Sequence, residues 1–269
     1  ERINAHGEIA LTADLECGKA ILDMLKNVNM PIRVYSEEDG IVNIGEGEPE
    51  YIGVLDGLDG TGAYTGAWKK FGRTNGRYGT LFGIFNGTNP FFSDYAVSVF
   101  MEHPTKTMFY ATHNNGAWKM KIGGEPYRIH TSSTRDLTPQ TSVIVDDLFD
   151  KILGGNLMHT RFIDKLSGVK IRDCGAAQTG YLEVATGNTD AVCELTRKGN
   201  LEPAAAYAII REAGGEIFGR YSKVAESLGD LRYLEFGQKE TDRHEFITGA
   251  TSDLAKKIIE RLESTNLVS

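Results

Sequence analysis

Val54-Leu55-Asp56-Gly57-Leu58-Asp59-Gly60-Thr61 is the stretch around which the rest of the chain is read. Aliphatic residues running out of Tyr51-Ile52-Gly53 form a short strand, which breaks into Asp-Gly-x-Asp-Gly-Thr with two carboxylates three positions apart. Carboxylate oxygens suit hard cations such as Mg²⁺, which keeps several waters and takes one or two protein carboxylates together with substrate phosphate oxygens. Gly57 and Gly60 remove side chains where the backbone must turn tightly or approach a ligand, and Thr61 adds a hydroxyl. The stretch reads as a divalent-cation and phosphate turn. Asp-Gly pairs are also ordinary turn formers, and spacing alone leaves both readings standing.

Working outward, the segment before this turn carries a second set of acids. Pro31-Ile32-Arg33-Val34-Tyr35 reads as a strand that ends in Ser36-Glu37-Glu38-Asp39-Gly40. Acid runs are usually solvated loops, but this one stands at a strand end, as Asp56 and Asp59 do. Adjacent strands in one sheet put both sets at the same edge. Like charges held that close need a cation between them, or one must protonate. Upstream, Leu15, Ala20, Ile21, Leu22, Met24 and Leu25 recur at helical spacing from Thr12 to about Val28. Glu8 and Asp14 flank the start of that helix. Each faces either a cleft or solvent, and on sequence alone solvent is the commoner outcome.

Downstream, a basic loop from Lys69 to Arg77 precedes a strand from Tyr78 to Phe85, and its charges face either an anionic substrate or water. Strand-like runs at Tyr95–Met101, Thr107–Thr112 and Ala117–Ile122, punctuated by Asn114-Asn115-Gly116 and Gly123-Gly124, predict an antiparallel meander. His103, His113 and His130 lack ligand spacing and read as surface or packing residues. The Ser, Thr, Asp and Pro composition of Thr131–Thr141 marks a lobe boundary. This predicts an N-terminal α+β lobe over residues 1–137 and a C-terminal α/β lobe over 138–269. In the second lobe, helices near Leu148–Leu153, Met158–Leu166 and Ala176–Thr186 alternate with strands at Ser142–Val145, Lys170–Arg172 and Ala191–Glu194. Further strands are expected at Ile217-Phe218, Tyr233–Phe236 and Phe246–Thr248, and a helix at Asp253–Leu262. Glu202 precedes Pro203-Ala204-Ala205, and a helix with proline in its first turn runs to a glycine stop at Gly214-Gly215. An acid at that position uses the positive helix end, or is aimed by it into a cleft.

The bulk numbers set bounds. With 269 residues, 41% of them hydrophobic and 25% charged, the chain has the composition of a globular protein and the length to house an enzyme cleft. A net charge of −8 argues against a nucleic-acid partner. Cys17, Cys174 and Cys193 show no CxxC or Cys/His spacing, which predicts a reducing, cytoplasmic setting and no zinc site. No apolar run has the length of a membrane span.

Three ordered motifs resemble the metal-dependent, lithium-sensitive phosphatases that include inositol monophosphatase and fructose-1,6-bisphosphatase. They are Glu37-Glu38, Asp56-Gly57-Leu58-Asp59-Gly60-Thr61, and Leu201-Glu202-Pro203-Ala204-Ala205 running to Glu212-Ala213-Gly214-Gly215. Gly175-Ala176-Ala177 and Val184-Ala185-Thr186-Gly187 look like the inositol branch; Ser36–Asp39, Leu58 and Gly79–Ile84 look like the bisphosphatase branch. Gly57 stands where the family usually has proline, Ala63 where asparagine is common, and Leu201-Glu202 where Trp-Asp is usual; the bisphosphatase branch also carries Glu there.

The resemblance implies a layered αβαβα sandwich, two or three Mg²⁺ ions, and a homo-oligomer, dimer or tetramer. By it, Glu37, Asp56 and the Leu58 carbonyl hold one ion, Asp56, Asp59 and Glu202 a second, and Glu38 assists a third. Thr61, with Glu8, orients or deprotonates the attacking water, and the Gly60 and Thr61 N–H groups hold the phosphate. Ala176 and Glu194 are placed like hydroxyl-binding positions, and Arg197, Lys198 or the Lys69–Arg77 loop would neutralise a second phosphate if the substrate is a bisphosphate. The implied activity is hydrolysis of a small polyol or sugar phosphate ester, of inositol monophosphate or fructose 1,6-bisphosphate type. The competing readings are a catalytically silent relative that binds sugar phosphate or metal, and a 3′-phosphoadenosine nucleotide phosphatase, for which no adenine-binding signature is evident.

Overall fold

Leu22 and Leu25 lie a turn apart and are both buried, and this apolar stripe docks the helix α1 (Thr12–Asn27) onto a sheet. The computed structural model describes residues 2–3, 9–66, 77–145, 165–172, 177–196, 200–221, 224–236 and 244–264. A short pair, β1 (Arg2–Ile3) and β2 (Ile9–Ala10), precedes α1. The sheet under α1 contains β3 (Ile32–Ser36), β4 (Gly40–Ile44), β5 (Tyr51–Asp59), β6 (Gly79–Asn86), β7 (Tyr95–Glu102), β8 (Thr107–Thr112), β9 (Ala117–Lys121) and β10 (Tyr127–Ile129). Its spatial order is β10-β9-β8-β7-β6-β5-β3-β4. The predicted meander is there, and β3 and β5 are parallel neighbours with Ser36 beside Leu55. That register brings Glu37 alongside Asp56, and the Glu37 N–H donates to the Leu55 carbonyl at 3.0 Å.

The second sheet has the order β12-β11-β13-β16-β14-β15. Its strands are β11 (Ser142–Val145), β12 (Lys170–Arg172), β13 (Ala191–Thr196), β14 (Glu216–Tyr221), β15 (Val224–Ser227) and β16 (His244–Gly249). The remaining described α-helices are α2 (Thr61–Tyr64), α3 (Ala177–Ala185), α4 (Leu201–Ala213) and α5 (Ser252–Glu263). Among the described residues three apolar cores define five layers. Leu22, Leu25, Ile32, Val34, Leu55 and Phe82 fill the space between α1 and the first sheet. Val54, Phe85, Tyr181, Ala205, Ile209 and Phe246 form the central core, where α3 and α4 lie between the sheets. Val143, Ile247, Leu254, Ile258 and Leu262 join the second sheet to α5. Burial of each such side chain stabilises by roughly 1.5–3 kcal/mol, and the expected αβαβα sandwich is the result.

Local expectations fail at a few points. Tyr233–Phe236 is a turn rather than a strand; its aromatics are there to pack, and the Tyr233 ring stacks on Phe85 at 5.8 Å. Gly40 opens a strand, β4, where the acid run suggested only loop. The expected helix near Leu148–Leu153, and most of that at Met158–Leu166, lie outside the described residues.

Candidate active site

The site is built where β3, β5 and the start of α4 meet. Asp56 is 1% exposed at the end of β5, with carboxylates around it. Burial pushes its carboxyl well above the usual range, and Glu37, Asp59, Glu202 and Asp14 add to the shift in that order. A buried carboxylate with four acidic neighbours is a high-energy arrangement unless a cation or a proton compensates it. Glu37 arrives from the end of β3, Asp59 from the far side of the turn, and Glu202 from the first turn of α4. Acids from distant segments thus act electrostatically on the one buried carboxylate.

For Asp14 the sequence leaves cleft and solvent both open, with solvent the commoner outcome; it is 4% exposed. It is the acid that sequence reasoning missed. Its burial follows from how α1 docks: a Cβ built on Gly57 would lie 2.4 Å from the Asp14 carbonyl oxygen. Helix and turn touch backbone to backbone, so glycine at position 57 is the condition for that approach.

The turn holds its own shape. The Leu58 N–H donates to Asp56 Oδ1 at 2.8 Å, and Thr61 Oγ1 donates to the Leu58 carbonyl at 3.2 Å. Gly60 adopts φ 85°, a left-handed conformation suited to glycine, and starts α2 at Thr61. From the second sheet's side, the Gln178 N–H donates to Asp59 Oδ2 at 3.1 Å, and Gln178 Nε2 donates to the Asp59 carbonyl at 2.8 Å. Glu38 is buried at the β3 end beside Glu37. Glu194, expected at the substrate hydroxyls, is buried on β13 and accepts a hydrogen bond from the Tyr181 hydroxyl. Glu8, Ala176, Arg197 and Lys198 lie outside the described residues, as does the basic loop up to residue 76. Arg77, at the end of that loop, is engaged within the protein. Its guanidinium pairs with Glu102 and, at 2.5 Å, with Glu183 of α3.

These residues fit a hard divalent cation by donor chemistry: carboxylates and a backbone carbonyl, with no sulfur or imidazole among them. Among the described residues no group of three or more His, Cys, Asp or Glu side chains is placed so that it could hold a metal ion by itself. Mg²⁺ does not require one, since it takes few protein carboxylates and completes its shell with water and phosphate oxygens.

The profile of the inositol monophosphatase family matches residues 4–265. A curated archaeal protein, "Bifunctional NADP phosphatase/NAD kinase" of Methanococcus maripaludis, is 29% identical over 227 residues, 80% of this chain. The aligned region is 37% of that relative's length, so the chain corresponds to little more than a third of it. Among solved structures, the extragenic suppressor protein suhB from Bartonella henselae superposes with TM-score 0.69 at 21% identity, covering 96% of this chain and 87% of that one. The inositol monophosphatase from Anabaena (Nostoc) sp. PCC 7120 gives TM-score 0.66 at 17% identity, covering 93% and 87%. At these identities the structural matches speak for the fold.

Proposed function

The chain belongs to the inositol monophosphatase family, and on that premise we propose that it is a Mg²⁺-dependent phosphomonoesterase acting on a small polyol or sugar phosphate. The observation that carries this reading is Asp56, a fully buried carboxylate pressed by Glu37, Asp59, Glu202 and Asp14. Glu37, Asp56 and the Leu58 carbonyl would hold one Mg²⁺, and Asp56, Asp59 and Glu202 another, with Glu38 beside them. When bound, the ions polarise the phosphoryl oxygens, make a water acidic enough to attack near neutral pH, and neutralise the departing alkoxide. The chain's own groups do the rest. Thr61 directs its only hydroxyl proton at the Leu58 carbonyl, so its lone pairs serve as acceptors that orient an attacking water. The Gly60 and Thr61 N–H groups lie at the same turn, where a phosphate oxygen would be held. Gln178 fixes the angle of Asp59 through two hydrogen bonds.

A second reading rests on the relative from Methanococcus maripaludis, named as an NADP phosphatase: the substrate is a phosphate on a nucleotide ribose. Phosphate release measured with inositol 1-phosphate, fructose 1,6-bisphosphate, NADP⁺ and 3′-phosphoadenosine 5′-phosphate, with and without Mg²⁺, separates the substrates. Mg²⁺-dependent turnover that disappears in Asp59→Asn is the expected result. Ligand binding without turnover for every substrate would replace the enzyme with a silent binding protein.

A further inference from the structure

Strand β5 is irregular at the turn that carries the acids. Asp56 pairs with Leu81 and Asp59 with Gly79, so Gly57 and Leu58 together stand opposite the single residue Thr80. Such a bulge takes main-chain groups off the ladder and re-aims the side chains on either side of it. The displaced groups still need partners. The Leu58 amide and carbonyl find theirs in Asp56 and Thr61, within the turn. The Gly57 carbonyl finds its partner on the neighbouring strand, where Thr80 Oγ1 donates to it at 2.8 Å. Thr80 is 8% exposed, and His103 Nε2 lies 2.9 Å from the same hydroxyl oxygen.

A hydroxyl carries one proton. With that proton on the Gly57 carbonyl, Thr80 meets the ring as an acceptor, and the network assigns the imidazole proton to Nε2. Burial lowers the His103 pKa, in keeping with a neutral ring. The ring is set in place from several sides. Its backbone N–H donates to the Tyr78 carbonyl at 3.1 Å, Tyr78 packs against it, and Cys17 Sγ of α1 lies 3.9 Å from Nε2.

We propose that Thr80 and His103 are positioning residues for the metal turn: His103 Nε2–H holds the Thr80 hydroxyl, which holds the Gly57 carbonyl, which fixes the bulge that sets Asp56 and Asp59 at their mutual angle. Neither residue is among the proposed metal ligands. The inference rests on the reading of this turn as the Mg²⁺ site, and the experiment separates the two. Mg²⁺ binding is measured by calorimetry on the wild-type chain, Thr80→Val, Thr80→Ser, His103→Phe and His103→Gln, alongside melting temperature and steady-state kinetics. Thr80→Val keeps the shape and removes the hydroxyl; it should weaken Mg²⁺ binding about 10-fold or more, as loss of an outer-shell partner does. At saturating Mg²⁺ its KM should stay near wild type while kcat falls. Thr80→Ser should restore affinity. His103→Gln, which can still donate, should bind more tightly than His103→Phe, and this pair decides the matter if Thr80→Val does not fold. Wild-type Mg²⁺ affinity in both Thr80→Val and His103→Phe overturns the inference alone, as does a melting-temperature loss with affinity unchanged. A wild-type chain that binds no Mg²⁺ overturns the proposed function and this inference with it.

Discussion

The backbone N–H of Gln178 donates to Asp59 Oδ2 at 3.1 Å, so a carboxylate on the first sheet serves the first turn of α3, a helix packed between the sheets. The interaction is favourable twice over, since an anion at a helix start satisfies an N–H that lacks an intrahelical partner and opposes the positive helix end. The Gln178 side chain, 1% exposed, adds the bond from Nε2 to the Asp59 carbonyl. Gln178→Leu keeps the volume and the backbone bond but strands that carbonyl. It should lose about 1–3 kcal/mol in urea denaturation and about 10-fold in Mg²⁺ affinity. Unchanged affinity with reduced stability would make Gln178 a packing residue only.

Gly57 gives a prediction against family habit. Replacing it with the proline common at that position, or with alanine, would normally be expected to stiffen the unfolded chain and stabilise the fold. Here a Cβ would sit 2.4 Å from the Asp14 carbonyl oxygen and 3.0 Å from its carboxylate. Backbone cannot yield as a flexible side chain does, so α1 must lift from the turn. Gly57→Ala should destabilise by about 1–3 kcal/mol, the usual range for overpacking, and should weaken Mg²⁺ binding. A stabilised Gly57→Pro variant would show that α1 adjusts without strain.

The parts of this site that were legible in the sequence share a cause. Glu37, Asp56 and Asp59 follow apolar strand runs, and parallel pairing of β3 with β5 carries those ends to one edge. Glu202 is marked by proline and by the glycine stop of α4. Asp14, Thr80, His103 and Gln178 had no such signal. Asp14 depends on which face of α1 lands on Gly57. Thr80 and His103 depend on a bulge, which one extra residue creates and no periodicity announces. Arg77 looked like part of a basic loop, yet it is drawn to Glu102, 3% exposed, because a buried carboxylate costs too much unpaired. These are contacts between remote segments, while motif and periodicity are local.

Asp56 should separate stability from activity. Without a cation, its buried charge and four acidic neighbours work against the fold. Asp56→Asn keeps an oxygen for the Leu58 N–H and removes the charge. The metal-free variant should be more stable than metal-free wild type, by about 1 kcal/mol or more, as is common when a strained functional group is neutralised. Its phosphatase activity should fall at least about 100-fold. Mg²⁺ should raise the wild-type melting temperature, with linkage giving about 2.7 kcal/mol at a hundred times Kd, and should leave that of Asp56→Asn unmoved. Equal Mg²⁺ stabilisation of both proteins would remove Asp56 from the ligand set.

Away from the site, Glu212 near the end of α4 ties the helix to the first sheet. Its carboxylate accepts hydrogen bonds from the Tyr95 hydroxyl at 2.6 Å, the Asn114 N–H at 2.7 Å and the Gly116 N–H at 2.6 Å. Burial works against ionisation, but the Tyr95 hydroxyl and the Gly116 and Asn114 N–H groups outweigh it and hold the carboxyl below its ordinary value. A carboxyl with a lowered folded-state pKa contributes stability above its unfolded value, about 4.3. That contribution is lost as pH falls through the lower folded-state value, because the unfolded chain takes up the proton first. Glu212→Gln turns an acceptor into an NH₂ group that meets a backbone donor. It should cost about 1–3 kcal/mol at neutral pH, and the gap from wild type should narrow as the pH drops below about 4. Urea denaturation of both proteins from pH 7 to pH 3 checks this, and a gap that stays constant with pH would mean that the carboxylate's charge plays no part in holding the hairpin to α4.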